Sequence, residues 1–162
     1  MRCGILSCVS ESNGDSLTVV LTFDDCNEED FTIGKQVLGE YNALATFGIV
    51  TNWVGGSYNI SGESGRRMTW RQIEQLHEAG HEIASHSENH MNLEDQSNLT
   101  LIRELNYSAH RIEERIARPR SLMYPYNIYD ENTVYYAKEC GYLYARTGWW
   151  RCSWTDKPYF NR

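Results

Sequence analysis

Residues 17–25 read Leu17-Thr18-Val19-Val20-Leu21-Thr22-Phe23-Asp24-Asp25. Every position from 17 to 23 is apolar or β-branched, the pattern of a strand buried on both faces in a helix-covered parallel sheet. Two carboxylates follow with no spacer. The same placement recurs downstream. Leu44–Val50 is a second apolar run. The short third run, His81-Glu82-Ile83-Ala84-Ser85, leads straight into His86-Ser87-Glu88-Asn89-His90. Ser121-Leu122-Met123-Tyr124 is a fourth and leads into Pro125-Tyr126, and Tyr142-Leu143-Tyr144-Ala145-Arg146 is a fifth.

Helical patterns separate these runs. A short helix is expected over about Ile33–Tyr41. Thr69-Trp70-Arg71-Gln72 has the form of a capping box opening a helix with the stripe Trp70, Ile73 and Leu76, which Gly80 ends. Leu99, Ile102, Leu105, Ala109, Ile112 and Ile116 recur at helical spacing and predict one apolar face, with Arg103, Glu104, Arg111, Glu113, Glu114 and Arg115 on the solvent side and Pro119 as the stop. A last helix is expected at Glu131–Glu139, capped by Gly141. Strand and helix in alternation imply an α/β fold of parallel strands joined by right-handed crossovers. Thr51–Gly65, rich in Gly, Ser and Asn, reads as a long loop over a site. Residues 1–15 read as a poorly structured lead-in ending in the turn-prone Ser12-Asn13-Gly14-Asp15, residues 16–162 as one domain, and residues 147–162 as a loop.

Composition removes several classes of function. The net charge is −7 without a Lys/Arg stripe, which argues against nucleic acid as a partner. No apolar run approaches the roughly 20 residues that span a bilayer, so no membrane partner is expected. The stretch Met1–Val9 is too short for the apolar core of a signal peptide; read as it stands, the chain would stay in the cytosol, and a start further upstream would reopen the cell envelope or exterior. Cys3, Cys8, Cys26, Cys140 and Cys152 are odd in number and irregular in spacing, as free or buried thiols would be; neither a zinc ribbon nor a CxxC pair is present.

In a parallel sheet the carboxyl ends of the strands face one way, so Asp24-Asp25, His86…His90 and Pro125-Tyr126 converge although far apart in sequence. His-x-x-x-His is a chelating spacing when the segment makes a helical turn. Two imidazoles and a carboxylate suit zinc, cobalt, nickel or iron, and three protein ligands leave a coordination position open. Blander readings exist: surface histidines for the pair, and helix capping for the acidic run that continues through Glu28-Glu29-Asp30. Capping explains Asp24 poorly, because it abuts a buried strand. Neighbours in extended chain point to opposite sides, so one carboxylate can hold a metal while the other faces a water only if the strand has begun to turn. An aspartyl-phosphate chemistry would leave the histidines unexplained.

Thr22-Phe23-Asp24-Asp25, His86-Ser87-Glu88-Asn89-His90 and Tyr124-Pro125-Tyr126 resemble, in order and separation, the first three motifs of the polysaccharide deacetylases, the NodB-homology domains of carbohydrate esterase family four. The resemblance covers about residues 16–147. It implies a distorted, incomplete (β/α) barrel and a metal-dependent hydrolase that removes N-acetyl groups from a sugar or polysaccharide such as peptidoglycan or chitin. Asp25, His86 and His90 would bind the divalent metal, zinc first with cobalt or nickel as alternatives. Asp24 would be the general base and the backbone N–H of Tyr126 the oxyanion donor. Relatives acting on small amides or O-acetyl esters keep those alternatives open. So does a catalytically weak carbohydrate-binding domain, with Tyr124, Tyr126, Trp149 and Trp150 stacking on sugar rings. Two departures stand out. Met123 occupies the place of an arginine that orients the catalytic aspartate, with Arg118 or Arg120 as substitutes. The family's late histidine, the acid for the leaving nitrogen, has no match among His77, His81, His86, His90 and His110, so the domain is expected to lack its C-terminal part.

Overall fold

The computed structural model describes residues 6–10, 17–60 and 62–147. In chain order the elements are β1 (Leu6–Ser10), β2 (Leu17–Phe23), α1 (Lys35–Glu40), β3 (Thr46–Ile49), β4 (Ser57–Ile60), β5 (Glu63–Arg66), α2 (Trp70–Glu78) and β6 (Glu82–Ser85). There follow α3 (Asn98–Ile102), α4 (Ser108–Glu113), β7 (Ser121–Met123), α5 (Glu131–Glu139) and β8 (Tyr144–Arg146). The main sheet runs β1-β2-β3-β6-β7-β8. From β2 to β8 the pairing is parallel throughout, and each strand is added on the same side in chain order. The five parallel strands, expected from the alternation, form an open half-barrel, the incomplete (β/α) barrel that the family resemblance implied, and their carboxyl ends share one rim.

The helix signals act as read. Thr69 Oγ1 accepts from the Gln72 N–H at 3.3 Å while Gln72 Oε1 accepts from the Thr69 N–H at 2.7 Å, so α2 starts on a reciprocal cap. Its Ile73 and Leu76 are fully buried with Phe47, Ile49, Met68 and Ile83 of one core cluster. A second cluster holds Leu93, Leu101, Leu105, Leu122, Ala137 and Tyr142. Each such large side chain contributes about 1.5–3 kcal/mol of transfer free energy, so the two clusters fix the helices on the strands and hence the rim.

Four expectations need correction. The segment read as a poorly structured lead-in contains β1, which pairs antiparallel with β2 from Leu6↔Leu21 to Ser10↔Leu17 and satisfies an edge that would otherwise be open. Nor is β2 buried on both faces along its length: Val19 and Val20 are exposed, because β3 pairs only with its last residues, Thr22 and Phe23. The loop expected at 51–65 includes the hairpin β4–β5, in register from Ser57↔Arg66 to Ile60↔Glu63. Finally, the helix over 98–113 is interrupted by a wide π-turn at Arg103–Tyr107. Leu101 and Glu104 face inward there while Leu99 and Ile102 face solvent, so the apolar face begins at Leu101 and the supposed solvent-side Glu104 is buried.

Candidate active site

Immediately after β2 the backbone leaves the extended region, with φ of 73° at Asp25 and 50° at Cys26. That turn meets the condition for splitting the two carboxylates. Left-handed backbone costs a non-glycine residue of order 1 kcal/mol, and a tertiary partner holds it: Arg67 Nη1 donates to the Asp25 carbonyl at 2.7 Å and to Asn27 Oδ1 at 2.5 Å. Arg67 is buried, its guanidinium over the rings of Trp53 and Tyr58, which lie 4.3 and 4.5 Å from it.

The histidines converge without the helical turn that the spacing suggested. Ser87 and His90 have φ of 65° and 57°, in an irregular turn closed by side chains. Ser85 Oγ accepts from the Ser87 N–H at 3.2 Å, and Ser87 Oγ accepts from the His90 N–H at 3.0 Å. His86 Nδ1 lies 2.8 Å from the carbonyl oxygen of Met123. A carbonyl only accepts, so Nδ1 carries the proton and the Nε2 lone pair is free to face Asp25.

Asp25 Oδ1 lies 3.6 Å from His86 Nε2 and 3.3 Å from His90 Nε2, and one ligand atom from each of the three residues falls within 4.8 Å of the others. The structure therefore brings together the three residues named for the metal. Burial pushes the Asp25 carboxyl up, but the adjoining His86 ring and the charges of His90 and Arg67 outweigh it and hold the group below the usual carboxylate range. Burial, helped by His86, presses His90 down to about 4 against the opposing pull of Asp25 and Asp24. An ionised Asp25 carboxylate and a neutral His90 imidazole are the protonation states in which such groups bind cations. Asp25 Oδ1 is buried without a hydrogen-bond partner among the described residues, an orphaned anionic oxygen that a cation would satisfy. This donor set fits a divalent cation with mixed nitrogen and oxygen preference.

Asp24 takes a different partner. Arg146 Nη2 at the end of β8 sits 2.5 Å from Asp24 Oδ1 and 3.3 Å from Met123 Sδ. The substitutes expected from sequence are occupied elsewhere: Arg118 bonds Glu113, Asn106 and the Cys140 carbonyl, and Arg120 lies over Tyr144. Gly48 on β3 makes the room. A Cβ there would meet Met123 Sδ at 2.5 Å and stand 3.5 Å from both Asp24 Oδ1 and His86 Cβ.

Among the aromatics, Tyr124 is buried and stacks on Tyr129 at 4.4 Å, which removes it as a sugar platform. Tyr126 is 57% exposed, in a left-handed turn (φ 57°), with its ring 4.6 Å from that of His90. The Trp53 ring lies 4.9 Å from that of His90. Trp149 and Trp150 lie outside the described residues, as does the loop expected over most of 147–162. His81 is structural, its Nδ1 accepting from the Ala45 N–H at 3.3 Å, while His77 and His110 are exposed on helices. Arg146, Gly48, Arg67 and Trp53 escaped the sequence reading. Only Arg146, at the carboxyl end of a strand, carried a positional signal that could have found it.

A family model described as polysaccharide deacetylase matches residues 11–145. No curated protein matches the chain. Among solved structures, the chain is similar to a de-N-acetylase from Aggregatibacter actinomycetemcomitans (22% identity, TM-score 0.67, 78% of this chain and 61% of that one). It is also similar to the Streptococcus pyogenes deacetylase PplD in complex with acetate (23%, TM-score 0.70, 79% and 54%). A third is the BpsB deacetylase domain from Bordetella bronchiseptica (24%, TM-score 0.69, 79% and 62%). At these identities the likeness is one of fold, and the chain spans less than two thirds of each of those chains.

Proposed function

The chain belongs to the polysaccharide deacetylase family, and from that premise we propose that it hydrolyses N-acetyl groups on an N-acetylated sugar or polysaccharide. The observation that carries this reading is the meeting of Asp25, His86 and His90 at one point beside an Asp24 held by Arg146. A divalent cation in that set, zinc first and cobalt or nickel as alternatives, supplies Lewis acidity toward a water and an amide carbonyl.

The chain's own groups do the rest. Asp24 accepts a proton from the attacking water, and the Arg146 guanidinium fixes which Asp24 oxygen remains free to do so. The backbone N–H of Tyr126 donates to the carbonyl oxygen as negative charge gathers there. After the carbon–oxygen bond has formed, Asp24 returns its proton to the departing nitrogen as the carbon–nitrogen bond breaks, leaving a free amine and acetic acid, which releases its proton to solvent as acetate. Exposed Tyr126 offers a flat face at the mouth of the site, which suits a sugar ring.

The test joins metal analysis of the purified chain to acetate release from chito-oligosaccharides and peptidoglycan. Bound cation with acetate release is expected. Release from small amides or O-acetyl esters alone would move the substrate class. Bound cation with no release from any acetylated compound would make this a metal-containing carbohydrate-binding domain instead.

A further inference from the structure

Glu104 is 3% exposed, yet it is a carboxylate in the middle of a helix, on the π-turn that interrupts it. Burying such a charge is costly unless hydrogen bonds satisfy it. Both of its oxygens are satisfied by one residue. Oε2 accepts from the Asn89 backbone N–H at 2.9 Å and Oε1 from Asn89 Nδ2 at 2.6 Å. Asn89 immediately precedes His90, and its own Oδ1 accepts from Asn52 Nδ2 at 2.6 Å. Asn52 in turn accepts from Arg111. One turn along the same helix, Ser108 Oγ is 2.7 Å from Ser85 Oγ, which holds the other end of the histidine turn. A π-turn places side chains where regular winding would not, and such turns recur at functional sites.

We propose that Glu104 is a positioning residue for the cation site: by gripping the main chain and side chain of Asn89, it sets the left-handed turn that aims His90 at Asp25. The inference rests on the metal reading above. Its chemistry is specific enough to be exchanged. In Glu104→Gln the new amide nitrogen faces Asn89 Nδ2, donor against donor. In Asn89→Asp two carboxylates face each other. Together the two changes restore the pattern, because the amide nitrogen introduced at position 104 donates to the carboxylate introduced at position 89, while the amide oxygen accepts from the backbone N–H.

The measurement is cobalt(II) and zinc affinity by chelator competition, with the cobalt d–d spectrum, on the full chain at a temperature where circular dichroism shows each variant folded. Each single variant is expected to lose about tenfold to a hundredfold in affinity, the range for outer partners of metal ligands. The double variant is expected to recover parental affinity and spectrum. If the parent binds neither ion, the metal reading fails and takes this inference with it. If the parent binds and the folded single variants bind equally well, only the role of Glu104 is overturned. Should the single variants not fold, a folded double variant with weakened affinity overturns it and one with parental affinity supports it.

Discussion

Arg146, the last residue of β8, forms an ion pair at 2.5 Å with Asp24 at the tip of β2, 122 positions away in sequence. The pair is partly buried and rests on a single contact, Nη2 to Oδ1, while Arg146 Nε and Nη1 are buried without a hydrogen-bond partner among the described residues. Arg146→Lys keeps the charge but not the rigid planar guanidinium that reaches both Asp24 and Met123 Sδ. Turnover is expected to fall about tenfold to a hundredfold, a part of what general-base catalysis is worth. Cation affinity should stay at the parental value. Equal turnover in the variant would dismiss the positioning role.

Asp24→Asn should hold its cation and lose turnover by about 10²–10⁴-fold, because an amide oxygen is a poor proton acceptor. Elemental analysis alongside acetate release separates the two effects. Full turnover in this variant would withdraw Asp24 as base.

His86→Ala and His90→Ala should weaken cation retention itself, by more than the roughly 10–100-fold that an outer partner costs. Equilibrium dialysis with zinc measures it. A variant that kept parental affinity would exclude that histidine as a ligand.

Gly48→Ala should disturb the base chiefly, since the new methyl clashes with Met123 Sδ but stands at ordinary contact distance, 3.5 Å, from His86 Cβ. The added methyl must displace Met123 Sδ, now 3.3 Å from Arg146 Nη2. Overpacking of this kind costs about 1–3 kcal/mol, visible as a lower unfolding midpoint in urea, together with slower turnover. An unchanged midpoint would show that the methionine yields freely.

Asp30 governs a pH dependence. Burial raises its carboxyl from 3.8 to about 7, aided by Glu29 and Asp25 and opposed by hydrogen bonding with Asn27. Between those values the folded chain holds a proton that the unfolded chain has released, so stability falls as pH rises through this window. Asp30→Asn preserves an oxygen to accept from the Asn27 N–H, which now reaches Asp30 Oδ2 at 3.2 Å. Relative to the parent, the variant should melt higher at pH 8 and about equally at pH 5. A constant difference at both pH values would contradict this origin.

The parallel order of the sheet and the three strand-tip clusters were legible because they depend on local signals: apolar runs, a capping box, His-x-x-x-His and Tyr-Pro-Tyr. What escaped was tertiary. Nothing local marks Asp25, Ser87, His90 or Tyr126 as left-handed; Arg67 holds the first of these from 42 residues away. Glu104 looked like a solvent-side charge because periodicity counts polarity and cannot see that Asn89 satisfies it. Strand β1 was missed for a similar reason: five residues ending before a turn-prone stretch give a weak signal until a partner is known.

The order in which the strands join the sheet carries a consequence for biosynthesis. Chains emerge from the ribosome amino end first and begin to organise as they do. Asp25, His86 and His90 all lie within the first 90 residues, but the carbonyl that orients His86 belongs to Met123 and the partner of Asp24 arrives only with residue 146. On this order the proposed site takes its final arrangement only after β8 has joined the sheet, and a nascent chain stays incompetent until then.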